Sequence, residues 1–426
     1  MSILQKWEEV LNHADLPKIT DIHRRNVTAQ LLENTAVDHA EQTAVLTEAS
    51  VPVNATGAGI SNFDPIMISL VRRAAPALVA YDIASVQPMT GPTGIVFAMR
   101  SRYNNQSGTE ALFNEADTSF SSVVSGANTF GQKNVGTAPT GVVNTYNTGT
   151  AMATAQAEAL GATGNAAFNE MAFSIEKITV EAKTRALAAG YTLEMAQDLK
   201  KVHGLDADAE ISQILVGEIL AEINRELLRT INITAVAGSA SGVTTPGIYD
   251  LDTDSNGRWM VEKFKGLMFQ LDREANKIAK DTRRGKGNYI ICSSDVASAF
   301  AAAGMLSYTP NLDGNNNLNI SDVGNTFAGI LNGRYKVYID PFTTGDYFTM
   351  GYKGTNSYDA GLIYAPYIPL QKMTAIEPGT FTPRMAYKTR YGMVANPFAQ
   401  GTTVGSGALT ANSNLYFRRT QVNNIS

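Results

Sequence analysis

The sequence predicts an α+β protein, and three observations carry that prediction. The run from Asp206 to Ile233 has the period of one long helix. Short apolar segments such as "NYIICS" (Asn288–Ser293) and "RYKVYID" (Arg334–Asp340) have the length and composition of strands. No motif recurs at a fixed period, which argues against a solenoid or propeller.

The length of 426 residues favours several packed units over one core. An apolar content of 44% and a charged content of 17% suit a folded protein. No run approaches the ~20 apolar residues of a membrane helix. Glu8 and Glu9 stand where a signal peptide would have its apolar core, so a soluble protein made in the cytoplasm is expected.

Residues 1–48 read as helical and polar, with Val27, Leu31 and Leu32 as an apolar stripe. They carry four basic and eight acidic residues, leaving 30 and 31 for the rest of a chain whose net charge is −5. His13, His23 and His39 also lie there, and only His203 lies beyond. A body with one histidine argues against histidine triads and histidine metal clusters. At the Glu48–Ala49 bond the composition turns to "ASVPVNATGAGISNFD", a linker.

Pro65 suits the first position of a helix that Pro76 would kink or end. Pro88, Gly91, Pro92 and Gly94 mark turns before a strand at Ile95–Tyr103. From Asn104 to Ala167 only five of 64 residues are charged, a tract expected to form an arm ordered by its neighbours. Residues 173–199 then read as a strand followed by a helix.

The long helix has Asp206 or Asp208 as its cap and Ile211, Leu215, Ile219, Ile223, Leu227 and Ile231 along one face. Roughly 26 residues at ~1.5 Å each make a rod of about 40 Å. From Gly257 helices and strands alternate. Val261, Phe264, Leu267, Met268, Leu271 and Ile278 are expected to line one helix face. "LDGNNNLNI" reads as a loop, and "SDVASAFAAAGM" as a capped helix. Tyr335, Val337 and Ile339 alternate with an outward Lys336 and Tyr338, and further strands are expected to the end of the chain.

Residues that could carry chemistry have plainer explanations. Cys292, the single cysteine, reads as a small buried apolar residue rather than a nucleophile. "DTDSNG" (Asp252–Gly257) resembles a calcium loop, but the twelfth position holds Lys263, with Glu262 one place early. "RRGKGNY" lacks the spacing of a phosphate loop. Arg72–Arg73 and Arg418–Arg419 are isolated basic pairs, better suited to salt bridges than to nucleic acid. Asp206 and Asp208 read as helix caps, and no catalytic, cofactor or metal site is expected.

Beyond these features, long segments resemble the major capsid proteins of T-even-type tailed phages. They include "VRRAAPALVAYDIASVQPMTGPTGIVFAMRSRY", "YTLEMAQDLKKVHGLDADAEISQILVGEILAEINRE", "KGNYIICS", "RYKVYIDPF", "DYFTMGYKG", "DAGLIYAPY", "TRYGMVANPFA" and "YFRR", in the family's order within residues 65–419. The resemblance implies the Hong Kong 97-type capsid fold. Residues 1–48 would be a cleavable acidic propeptide, 49–94 the N-terminal arm and 95–187 the extended loop with its strands. Residues 188–257 would form the peripheral domain with its spine helix, 258–366 the axial domain, and 367–426 the return to the peripheral domain. The tract 104–168 is shorter and poorer in charge than the family's archetype, which puts an inserted lobe there in doubt.

The resemblance also implies a function and partners. The chain would assemble with itself into hexamers of an icosahedral or prolate shell around double-stranded DNA, touched only by weak non-specific proximity. An internal scaffold, a portal, vertex or decoration proteins and a prohead protease would be its other partners, with no membrane. It would be made in the bacterial cytoplasm and end in the virion. The protease would cut after Glu48, with Leu46 two residues before it and Ala49 after it. Leu31–Glu33 fits the same pattern, as does Leu220–Glu222 inside the long helix. The alternatives are the paralogous vertex protein forming pentamers, a compartment shell of the same fold, and an enzyme with an inhibitory pro-segment.

Overall fold

The structure, a computed structural model, describes residues 3–12, 19, 21–47, 78–122, 132–136, 138–139, 146–163, 167–238, 243–255, 257, 259–304, 306–308, 326–356, 359–377, 379–401 and 405–425. Within these ranges the side chains of 39–47, 132–133, 306–308 and 326 are outside the description. Both helices and strands are abundant, so the class is α+β. The chain divides into two compact units, Met1–Val96 with Ile178–Ser426, and Phe97–Lys177.

The larger unit is organised by two sheets. Among the described residues the first has four strands in the order β1 (Ser85–Val86), β14 (Leu362–Ile376), β15 (Pro383–Ala395), β6 (Lys183–Gly190). The β1–β14 pair is parallel and the other two pairs are antiparallel. The second runs β10 (Leu306–Tyr308), β11 (Thr326–Leu331), β12 (Tyr335–Asp340), β9 (Tyr289–Ser293), β13 (Tyr347–Gly351), β16 (Asn414–Asn423), β7 (Ala235–Ala237), with β8 (Ile248–Asp250) also on β16. In this unit the helices are α1 (Ile3–Lys6), α2 (Glu8–Leu11), α3 (Ile22–Thr47), α4 (Ala80–Ile83), α6 (Leu193–Asp198), α7 (Ala207–Thr234), α8 (Met260–Thr282) and α9 (Ser294–Ala302). The smaller unit holds α5 (Thr154–Glu158) and the pair β3 (Gln132–Val135) and β4 (Asn147–Gly149). The chain passes between the units along β2 (Thr93–Tyr103) and β5 (Met171–Glu181), which pair as a two-stranded ribbon.

Helix α7 joins the two sheets. Its start is capped by Asp206, whose carboxylate accepts from the Asp208 amide at 3.2 Å. Leu215, Ile219, Ile223, Leu227 and Ile231 are buried at four-residue spacing, and Leu220 and Leu228 widen the stripe. That stripe shares one core with Tyr364 and Leu370 of β14, Tyr387 and Tyr391 of β15, and Tyr416 and Phe417 of β16. The polar residue on the buried face, Asn224, accepts from the Val79 amide at 3.2 Å and so ties the chain before α4 to the helix.

Charged flanks fix the helix to each sheet. Arg185 of β6 pairs with Glu222 at 3.0 Å and with Glu226 at 2.5 Å. On the other side Arg225 meets the buried Asp340 of β12 at 2.5 Å, and Asp340 also accepts from the Tyr347 hydroxyl at 2.8 Å. Asn232 donates to Tyr347 at 3.0 Å and accepts from Thr349 at 2.8 Å. A buried carboxylate with this many donors is satisfied rather than reactive.

A second core fills the space between the large sheet and helices α8 and α9. Phe264, Leu267, Met268, Leu271, Ala275 and Ile278 of α8 pack with Ile290, Cys292, Val296, Phe300, Val337 and Phe348. Three expectations need correcting. Val261 is 46% exposed, because it lies in the first turn of α8, before the helix reaches the sheet. Tyr338 is buried rather than outward, because β12 is covered on both faces: Tyr335 and Val337 enter the second core, and Tyr338 enters the core of α7. The predicted strand-then-helix at 173–199 is two strands, β5 and β6, before α6. The helix proposed from Pro65 has only its last turn, α4, within the described residues, and "LDGNNNLNI" lies outside them.

Two substitutions separated by ten residues test the role of α7. Ile223→Ala should destabilise the folded chain by about 2–5 kcal/mol, because Ile223 is 3% exposed in the shared core. Ile233→Ala should change stability by less than about 0.5 kcal/mol, because Ile233 is 54% exposed. Chemical denaturation of both variants checks the contrast; equal losses would contradict the packing described.

Candidate processing and assembly site

The predicted cleavage residues fall at the end of α3. Leu46 lies in the helix, which ends at Thr47, while Glu48 and Ala49 lie outside the described residues. The other two matches to the pattern are in helices. Leu31 is 4% exposed and Leu220 is 8% exposed, so neither is presented as extended chain.

The segment before the predicted cut is part of the main core. Trp7, Leu11, Val27, Ala29, Leu31 and Leu32 are buried in the same cluster as Ile219, Ile223 and Tyr364. The sequence marked Val27, Leu31 and Leu32 as apolar but gave no sign of what they cover. Polar contacts accompany the burial. Asn34 donates to the carbonyls of Met89 at 2.7 Å and Tyr367 at 2.8 Å. Arg24 pairs with Asp82 at 2.6 Å and lies over the Tyr81 ring at 5.2 Å. Gln371 donates to Asp38 at 2.9 Å. Trp7 and Lys6 both donate to Glu33 at 2.8 Å, and the bond from Lys6, more than that from Trp7, holds the Glu33 carboxyl below the usual carboxylate range despite its partial burial.

Lys353 lies beneath this contact. Its ammonium donates to the Tyr81 carbonyl. Burial is the main cause that brings its pKa down to about 8, opposed by Asp82 and reinforced by Arg24.

In the smaller unit the ribbon is turned inside out with respect to ordinary patterning. Phe97 and Met99 of β2 are 60% and 66% exposed, and Met171, Phe173 and Ile175 of β5 are 55%, 59% and 63% exposed. Alternation places Arg100, Arg102, Ser174 and Glu176 on the opposite face. Arg100 is 1% exposed there, bound to Glu110 at 2.9 Å and Glu176 at 3.1 Å, while Arg102 reaches Glu176 at 3.2 Å and Ser174 at 2.8 Å. The charges are thus paired and enclosed, and the large apolar side chains are left outside.

The remaining candidates are occupied by structural contacts. Asp252 of the calcium-like loop is paired by Lys263, the residue that replaces the expected glutamate. Asp254 accepts from the Thr244 amide and hydroxyl, both at 2.8 Å, and from the Asp250 amide at 3.0 Å. Cys292 is fully buried, and burial, with Asp340 nearby, pushes its thiol up to about 12. A thiol so poorly ionised is no nucleophile near neutral pH. Lys286 pairs with Asp272 at 2.9 Å. Arg418 is enclosed between Glu274 at 3.5 Å and Asp281 at 3.0 Å, and Arg419 donates to the Asn232 carbonyl at 2.8 Å. Asp206 caps α7, whereas Asp208 pairs with Lys372 at 2.6 Å. Arg72–Arg73 lies outside the described residues. Among the described residues no group of three or more histidine, cysteine, aspartate or glutamate side chains could hold a metal, and no helix is long and apolar enough to cross a membrane.

The Lys353 environment gives a pH prediction. A folded pKa near 8, below the unfolded value, means that the unfolded chain binds the extra proton between about pH 8 and 10.5. Stability contributed by this group therefore rises with pH through that window, and the burial penalty is complete below it. Relative to Lys353→Met, the parent should gain stability from pH 7.5 to 9.5, as read by chemical denaturation. A difference between the two that is independent of pH would contradict the assignment.

Comparison with known proteins assigns the chain to a family. The family described as Major capsid protein Gp23 matches residues 60–422. The major capsid protein of Serratia phage KSP90 is 39% identical, over 99% of this chain and 97% of its own length. That of Enterobacteria phage T4 is 34% identical, over 99% of this chain and 98% of its own. The capsid vertex protein of phage T4 is 25% identical over 53% of each chain. Among solved structures, the capsid of Myoviridae Phage XM1 aligns with 81% of this chain and 92% of its own at 9% identity and a TM-score of 0.39. The match over residues 60–422 and the near-complete coverage by the phage relatives have one consequence: the chain belongs to the Gp23 major capsid protein family.

Proposed function

We propose that this chain is the shell-forming head protein of a tailed phage. It assembles with copies of itself into hexamers of a closed icosahedral or prolate shell around double-stranded DNA, and it matures by a cut after Glu48. In the virion it is a structural protein, with no reaction of its own. Residues 95–187 act as the extended loop, 188–257 with 367–426 as the peripheral domain, and 258–366 as the axial domain of a Hong Kong 97-type subunit.

The observation that carries the assembly reading is the exposed face of the ribbon, with Phe97, Met99, Met171, Phe173 and Ile175 all more than half exposed. Contiguous apolar surface on a soluble chain marks an interaction site. The lining is large and apolar, and the neighbouring charges are already paired. Such a face covers another protein surface without burying an unpaired ion. A second copy of the chain is the partner supplied at the right stoichiometry for a closed ring of heterologous contacts.

The charge balance suits a DNA container. Residues after 48 carry 30 basic and 31 acidic groups, which leaves little net attraction for phosphate and lets packaged DNA slide. The Glu48 cut is supported by its place at the composition break, where the charged N-terminal stretch gives way to Ala, Val, Gly, Asn and Ser. The prohead protease, an internal scaffold, the portal and vertex or decoration proteins complete the set of partners. The vertex-protein reading is weaker, since that relative matches only half the chain at 25% identity.

Two variants test this reading. Phe97→Asp with Phe173→Asp should leave circular dichroism and melting nearly unchanged, since both side chains are exposed, yet abolish closed shells in electron micrographs. Shells of normal number and size would refute the role of the ribbon. Glu48→Ala should leave the intact mass of the chain unreduced and hold particles in the precursor form. Fully expanded heads built of uncut chains would remove the processing step from the mechanism.

A further inference from the structure

We infer that the N-terminal segment remains attached to the body after the Glu48–Ala49 bond is cut, as a non-covalent ligand of the surface made by α7, β14 and residues 78–89. This rests on the processing reading for its biological setting, but its physical basis is independent of it.

The named contacts of the segment all lie well before the cut. Its apolar anchors are Trp7, Leu11, Val27, Leu31 and Leu32, each no more than 8% exposed. Leu31 lines a pocket of about 40 Å³ with Leu220, Ile223, Tyr364, Ile368 and Leu370. Asn34 is an anchor of another kind. It is 8% exposed and its amide nitrogen donates to two backbone carbonyls, those of Met89 and Tyr367, which belong to different stretches of the body. Arg24 holds Asp82, and Asp38 receives Gln371. Glu33 joins the first turns of the segment to α3 through Lys6 and Trp7, so the segment is folded against itself as well as against the body.

Cutting one peptide bond after residue 48 breaks none of these contacts. It converts an intramolecular association into a bimolecular one and removes the effective concentration that the linker supplied. Dissociation then depends on the rate at which several enclosed side chains leave together, and that rate is slow for a well-packed surface. Cleavage and release are therefore separate steps. The order of cuts follows. The Leu31–Glu33 match is enclosed while the segment is bound, so a protease reaches it only after release or local unfolding.

The test uses the full chain with the recognition sequence of an unrelated site-specific protease replacing Leu46–Ala49. After cutting the unassembled protein, size exclusion followed by mass spectrometry should find the N-terminal fragment eluting with the body. Asn34→Ala, introduced in the same chain, should speed release by at least about ten-fold, measured with a dye on the fragment. Immediate and complete separation of the parent fragment would overturn the inference, as would equal release rates for parent and Asn34→Ala. Because the cut is engineered, this experiment can fail while Glu48 remains the natural site, and a wrong natural site leaves its outcome unchanged.

Discussion

The shared apolar stripe of α7 is the interaction on which the rest of the larger unit depends. A single 28-residue helix buries one face against strands of both sheets and the N-terminal segment. Helix α3 packs on the first sheet and α8 on the second, whereas α7 packs on strands of both. The flanking ion pairs then set its rotation: Arg185 with Glu222 and Glu226 on one side, Arg225 with Asp340 on the other. Ion pairs of this kind, partly exposed at Arg185 and enclosed at Asp340, add little net stability. Their effect is to make other rotations of the helix costly, because a slipped helix would strand Asp340 without its cation.

Strands of the two units differ in which faces they cover. In the larger unit β9, β12 and β13 bury most of their side chains on both faces, so apolar residues occur at consecutive positions along them. In the smaller unit the ribbon encloses its guanidinium and carboxylate groups and exposes its phenylalanines and methionines. An isolated subunit gains nothing from that inversion. It becomes favourable only when the outer face meets another surface, which is the condition a shell lattice provides.

Much of the larger unit was readable because its signals are local. The four-residue recurrence from Ile211 to Ile231, the cap at Asp206 and the buried "YIICS" strand need no knowledge of neighbours. Val261 and Tyr338 were misplaced for the opposite reason: whether a first turn or an outward strand position is covered depends on remote segments. The ribbon was legible as a strand at Ile95–Tyr103 but not as an inverted one, since alternation reports two faces and not which is enclosed. An arginine at position 100 facing a glutamate some 76 residues away is invisible to any local pattern. The N-terminal segment misled through composition. Its charge marked it as separable, while the Trp7, Leu11, Leu31 and Leu32 that tie it to the core are too few to change the average.

That last point constrains the order of maturation. Losing the segment removes six buried apolar residues from the main core. At about 1.5–3 kcal/mol for each large side chain, the loss is on the order of 10 kcal/mol. A folded domain has only about 5–15 kcal/mol in total, so this burial is large on that scale, before the entropy of ordering the segment is set against it. On the proposed function, contacts between subunits would offset part of that loss, and the exposed ribbon is surface available for them. Release before assembly would leave Tyr364, Ile368 and Leu370 facing water in an unsupported chain. Release within a lattice transfers that deficit to interfaces that already exist. On that reading the cut would permit departure of the segment, and contacts within the lattice would offset its cost.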